Sequence, residues 1–173
     1  MIDESGFMLQ PVVRRTWALR GRTPVHRSSA RHDRVSAIAA ITCSPLRKRL
    51  GLYFRLQDDN YRWPAVVSFV RHVRRHVGPK LTIVWDPLNV HRSAYAGLTR
   101  SFGDEIKFHW LPSYAPELNP VEGVWSHTKY AELANNLPAD VIVLWRDVFR
   151  SLTGKRKNAT LLAASYHHTG LAL

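Results

Sequence analysis

The chain has 173 residues, 45% of them hydrophobic, and its 25 Lys and Arg against 13 Asp and Glu leave a net charge of +12 and a pI near 10.6. That length suits one domain with a real core, and the charge suits a polyanion such as nucleic acid better than a neutral metabolite. Cys43 is the single cysteine, which excludes an internal disulfide, and no apolar run reaches transmembrane length or resembles a signal peptide, so a soluble, cytoplasmic protein with no membrane partner is expected.

Met1 to Leu9 reads as a strand or the last part of one. Side chains alternate faces along a strand, so Asp3 and Glu4 point opposite ways. Only two residues precede Asp3, and this first strand is expected to be truncated. Pro11 to Arg34 is basic and turn-rich, with Arg14, Arg15, Arg20, Arg22, Arg27, Arg31 and Arg34 interleaved with Trp17. Arginine forks suit phosphate oxygens, so the segment reads as a phosphate-contacting hairpin or, equally, as a solvated loop. Val35 to Thr42 and Leu50 to Leu56 are apolar runs joined by PLRKR, the pattern of two adjacent strands. Pro64 to Val77 reads as an amphipathic helix with Val66, Val70, Val73 and Val77 on its buried face, stopped by Gly78-Pro79.

Leu81 to Asp86, LTIVWD, is a short buried strand ending in a carboxylate, a position that is functional in open α/β sheets. A helix is expected from His91 through Phe102, and Ile106 to Leu111 supplies another strand. Leu111 to Lys129 then reads LPSYAPELNPVEGVWSHTK. Its prolines make a stiff loop, Asn119 suits an N-cap, Pro120 the first helical position, and Val121, Val124, Trp125 and Thr128 recur as a buried stripe. Glu122 therefore stands on the first turn, where it either closes a capping box or serves as a site carboxylate. Glu117 is a less well oriented competitor in the loop. Asp140 to Leu152 and Thr160 to Tyr166 read as helices around a basic turn, LTGKRKN. Lys155, Arg156 and Lys157 there either contact a phosphate backbone or are simply solvated.

DESGF at 3 to 7, RRTWALRGRTP at 14 to 24, WDPLNVHRS at 85 to 93 and LPSYAPELNPVEGVW at 111 to 125 together resemble the DDE-superfamily transposases, in the bacterial insertion-sequence branch related to Tc/mariner elements. The resemblance spans Asp3 to about Lys129, and 35 residues, positions 87–121, separate Asp86 from Glu122, near that branch's short spacing. It implies a ribonuclease-H-like, three-layer α/β domain with a mixed sheet and helices on both faces. Residues 1–173 would form one catalytic domain, with 130–173 as a helical extension and without the family's N-terminal helix-turn-helix region. It also implies that Asp3, Asp86 and Glu122 are the catalytic, metal-binding triad.

Such a triad holds two Mg2+ ions, with Mn2+ as a substitute, because phosphodiester chemistry needs an activated oxygen and neutralised phosphate charge, and hard ions take oxygen ligands. Three clustered carboxylates repel one another unless cations are present. His91 occupies a histidine position of the motif, where it orients a phosphate or metal-bound water or acts as a supporting residue; Asn119 caps the helix and is within reach of the site. The expected partners are double-stranded DNA, both transposon ends and target, with room for a homodimer and association with the bacterial nucleoid. Lys129 joins Arg14, Arg15, Arg20 and Arg22 as a DNA-contact candidate. The expected activity is DNA cleavage and strand transfer. The alternatives are a related nuclease that cuts without joining and an inactive remnant that only binds DNA.

Overall fold

The computed structural model describes residues 1–25, 27, 33–46 and 49–171; Arg31, Arg47 and Lys48 of the basic segments lie outside the described residues. The core is organised by β2 (Arg34–Cys43), whose run VSAIAAIT is apolar on both faces as a central strand must be. It pairs antiparallel with β1 (Ile2–Met8) on one side and β3 (Leu50–Gln57) on the other, with Asp3 opposite Ala39 and Ala39 opposite Phe54. A parallel pair, β4 (Leu81–Trp85) and β5 (Ile106–Trp110), is joined by the crossover helix α2 (Asn89–Phe102). β4 lies beside β1 without ladder pairing among the described residues, so an antiparallel sheet, β3-β2-β1, and a parallel pair, β4-β5, stand side by side.

Period-two alternation divides the core in two. Val35, Ala37, Ala39 and Ile41 of β2 pack with Phe7 against α3 (Pro120–His127), α4 (Val141–Arg156) and α5 (Ala159–His167). Ile38 and Ala40 pack with Ile2 against α1 (Trp63–Val77) and α2. The result is the expected three-layer α/β arrangement with helices on both faces. It also separates the two acids of β1, sending Asp3 toward α3 and Glu4 toward α2.

Three local expectations change. Val77 is half out of the α1 stripe, and Val67 and Phe69 take its place in the core. The segment between β1 and β2 is no hairpin: its described residues 9–25, 27 and 33 contain no strand, and only its ends join, Leu9 N–H donating to Asp33 O at 3.0 Å. Pro11 and Pro24 lack donors for a ladder, and the arginines between them offer no apolar face to bury. Finally, the expected basic turn after Leu152 is mostly helix, because α4 runs on to Arg156. No helix among the described residues is long and apolar enough to cross a membrane.

Candidate active site

α3 is built as its sequence predicts. Asn119 Oδ1 accepts from Val121 N–H at 3.2 Å, Pro120 follows, and Val121, Val124, Trp125 and Thr128 are buried. Asn119 also donates from Nδ2 to Ile2 O at 3.3 Å, tying the helix start to β1. The capping box does not form. The Asn119 N–H donates instead to Pro116 O at 2.9 Å, in the 3-10 turn Pro116–Leu118, so Glu122 is released from that duty and its exposed side chain faces a cavity.

Asp3 and Asp86 line the same cavity, of about 290 Å³, walled on its other side by the proline loop from Leu111 to Pro116. Three acids from three elements thus converge: Asp3 from β1, Asp86 from the residue after β4, Glu122 from the first turn of α3. Their environments differ. Asp3 is buried, and its Oδ2 accepts from Trp125 Nε1 at 2.9 Å, so the buried stripe of α3 also orients this carboxylate. Burial first, then the charges of Glu122, Glu4 and Asp86, push its pKa up to about 8, with the Trp125 hydrogen bond opposing.

Asp86 is half-buried and held by His91. The His91 ring is fully buried, stacked on Trp85 at 4.8 Å and 9°. Its Nδ1 donates to Asp86 Oδ1 at 2.6 Å, and its Nε2 lies 2.9 Å from Glu4 Oε2. Burial lowers the His91 pKa, but the hydrogen bonds to Asp86 and Glu4 outweigh it and raise the value to about 10. With both nitrogens committed to carboxylates, His91 has none left for a phosphate or a metal-bound water. Its place is that of a support behind Asp86, and Glu4, which the alternation along β1 turns away from Asp3, is the other half of that support.

The basic candidates fall into separate places. Lys129 sits in a π-helical turn, Thr128–Glu132, that continues α3; its Nζ lies 5.4 Å from the Phe7 ring centre, near the Asp3 and Glu122 charges. Burial lowers its pKa and those two carboxylates counteract. Arg14 is clasped: its guanidinium donates to Tyr130 O at 2.9 Å and its backbone exchanges hydrogen bonds with Asn135. Arg15 borders a second hollow with Arg14 and Tyr130, while Arg20 and Arg22 are exposed around a turn. Lys155 is a correction. It is 1% exposed, its Nζ donating to Glu132 Oε2 at 2.7 Å and Ser151 Oγ at 2.8 Å, so no phosphate can reach it. Arg156 and Lys157 are exposed, Arg156 over Phe54 of β3, on the edge of the sheet away from the three acids.

Sequence reasoning missed the roles of Glu4 and Trp125. The alternation along β1 was the available signal for Glu4, since it pointed the side chain at whatever packs on the α2 face. The donor set suits a hard divalent ion, being all carboxylate oxygen in one cavity, with the Asp3 pKa raised by burial and then by its neighbours' charge. Among the described residues, no three such side chains are gathered closely enough to clasp an ion as they are placed.

Comparison with solved structures places this fold beside the Mos1 transposase. Its paired-end complex with the left transposon end matches with a TM-score of 0.69 at 13% identity, covering 97% of this chain and 51% of that one. The Mos1 strand transfer complex matches at 0.67 and 11% identity over 97% and 50%, and the Mos1 mariner paired-end complex with Mn at 0.67 and 12% over 97% and 51%. The chain therefore spans about half the length of these relatives, and the likeness is one of fold. No curated protein sequence matches it. The family model for DDE superfamily endonucleases matches residues 1–144, most of the chain and all three acids, and the chain belongs to that superfamily.

Proposed function

We propose that this chain is the catalytic domain of a transposase, cutting DNA strands at transposon ends and joining them to target DNA, with residues 1–173 acting as one domain and Asp3, Asp86 and Glu122 as its catalytic triad. The observation that carries the reading is the convergence of these three carboxylates on one cavity in a chain of net charge +12. A water oxygen attacks the phosphorus, the P–O3′ bond breaks, and the strand leaves with a 3′-hydroxyl; that hydroxyl then attacks phosphorus in the target and displaces another. Two Mg2+ ions, or Mn2+ in their place, held by Asp3, Asp86 and Glu122, would neutralise phosphate charge and activate the attacking oxygen.

The chain's own residues do the positioning. Trp125 orients Asp3, and Glu4 with His91 orients Asp86. Lys129, beside Asp3 and Glu122, is a cation close to where the scissile phosphate would lie. Arg15, Arg20 and Arg22 offer sequence-independent backbone contacts. Joining two ends calls for two copies of the chain, so a homodimer on DNA belongs to this reading.

Nicking of supercoiled plasmid in Mg2+ or Mn2+ tests it, comparing the chain with its Glu122→Gln variant. Wild type should nick and the variant should not. Equal activity in both would overturn the triad. A folded wild type that binds DNA without cutting would make the chain a binding remnant, and cutting that never proceeds to joining of transposon ends would make it a nuclease.

A further inference from the structure

Beyond His127, α3 widens into the π-helical turn Thr128–Glu132, closed by Leu133 N–H donating to Thr128 O at 2.9 Å. Such turns are rare and collect at functional sites, so this one calls for an external hold. The hold comes from α4. The Lys155 ammonium, 1% exposed, donates to Glu132 Oε2 at 2.7 Å at the far end of the turn and to Ser151 Oγ at 2.8 Å. Ser151 Oγ donates in turn to Thr128 Oγ1 at 3.3 Å at the near end, and Thr128 Oγ1 donates to Val124 O at 2.8 Å. Both ends of the turn thus hang from one buried cation. A buried ion pair adds little stability over an apolar pair of the same volume; what it adds here is a fixed geometry.

Between the gripped ends stands Lys129. It is half-buried and two helical turns past Glu122, hence on the same face, with its Nζ 5.4 Å from the Phe7 ring centre and close to the Asp3 and Glu122 charges. A lysine ammonium rides on a flexible four-carbon stem, so its place depends on how firmly its backbone is held. From the other side, Arg14 takes the carbonyl of the next residue, Tyr130, at 2.9 Å. We propose that Lys155 is a positioning residue for strand cleavage: with Ser151 it fixes both ends of the π-helical turn and so holds the Lys129 ammonium beside Asp3 and Glu122, where the scissile phosphate enters. Lys155 itself never touches the strand. This rests on the DNA-cleaving reading of the site.

The test compares the full chain with Lys155→Met, Lys129→Met, their double variant and Ser151→Ala, all well below their melting temperatures. Lys155→Met should bind supercoiled plasmid in Ca2+ as tightly as wild type, yet nick it in Mg2+ at saturating protein about 10- to 100-fold more slowly, the scale of a misplaced group. Lys129→Met should lose as much, and the double variant no more than either, because the two residues act as one unit. Ser151→Ala keeps the ion pair and should show a smaller loss, which tests the chain even if Lys155→Met folds poorly. Acetylation of lysines, read by mass spectrometry, should find Lys129 more reactive in the Lys155 and Ser151 variants while Lys80 and Lys107 stay as in wild type. A general loss of structure would instead lower binding and rate together and multiply with Lys129→Met, and that result would overturn the proposal. If wild type nicks, Glu122→Gln does not, and Lys155→Met and Ser151→Ala nick and acetylate like wild type, the positioning role falls and the carboxylate site stands. If wild type does not nick while acetylation still separates the variants, the hold on Lys129 stands and the cleaving reading falls.

Discussion

Replacing His91 with leucine removes a ring that is fully buried, stacked on Trp85, and bonded through both nitrogens to carboxylates. Two charge-assisted hydrogen bonds of about 1.5 to 3 kcal/mol each are lost, and breaking a buried ion pair by deleting one partner costs about 3 to 5 kcal/mol. The Asp86 and Glu4 side chains are 35% and 17% exposed, so water recovers part of this, and the low end, about 3 kcal/mol, is expected. For a chain of this size that is a fall of roughly 6 to 12 °C in Tm. The pH must be chosen with the sign in mind. The His91 pKa is raised from 6.5 to about 10, so its stabilisation is full below about 6.5 and is lost as pH climbs toward 10; a pH of about 6 to 6.5 shows the effect best. Asp86, no longer pinned, should bind Mn2+ about 10- to 100-fold more weakly in calorimetric titration. Glu4→Gln keeps an acceptor for Nε2 and should lose less in both assays. A His91→Leu protein that melts within 2 °C of wild type and binds Mn2+ equally would refute the support role.

Because the Asp3 pKa is raised from 3.8 to about 8, the folded chain keeps a proton that the unfolded chain releases, and metal-free stability should fall as pH rises from about 4 to 8. Asp3→Asn removes that penalty, so scanning calorimetry without metal should find it melting above wild type at pH 8 with a flatter pH profile; an Asn variant that melts lower at pH 8 would contradict the assignment. Lys155→Met deletes one partner of an ion pair whose other member, Glu132, is 38% exposed and can be rehydrated, so it should cost about 1 to 3 kcal/mol in denaturant unfolding and leave duplex affinity unchanged. A drop in DNA affinity would show that the buried ammonium does reach phosphate.

What could be read from sequence was local and periodic. The Asn119-Pro120 start of α3 and its stripe through Thr128 follow from capping chemistry and the 3.6 period, and β2 follows from an apolar run too short for a helix. The convergence of Asp3, Asp86 and Glu122 could be expected only from the family resemblance, because nothing in local pattern says that residues 3, 86 and 122 meet. The misses are pairings across the chain. Glu4 and His91 are 87 residues apart, so alternation could say that Glu4 turns away from Asp3 but not what it meets. Lys155 stands in a KRK run that reads as solvated, and its partner Glu132 lies 23 residues upstream in a π-helical turn with no sequence signature. The capping box failed for a similar reason: a 3-10 turn at Pro116 supplied the Asn119 N–H with a nearer acceptor than the Glu122 side chain.

The three acids are supported unequally, and that determines which substitution can test the chemistry. Asp3 is buried against Trp125, so changing it alters a hydrogen bond, a desolvation cost and the packing of α3 together. Asp86 is one end of the Glu4–His91 chain, so removing its carboxylate leaves the buried imidazole Nδ1 with only the backbone carbonyl of residue 86, at 3.1 Å. Glu122 is exposed and no longer serves the helix cap, so its amide costs the fold little. Loss of nicking in Glu122→Gln with an unchanged Tm would therefore report on the carboxylate's charge at the cavity, whereas the same loss in an Asp3 or Asp86 variant would be confounded by stability.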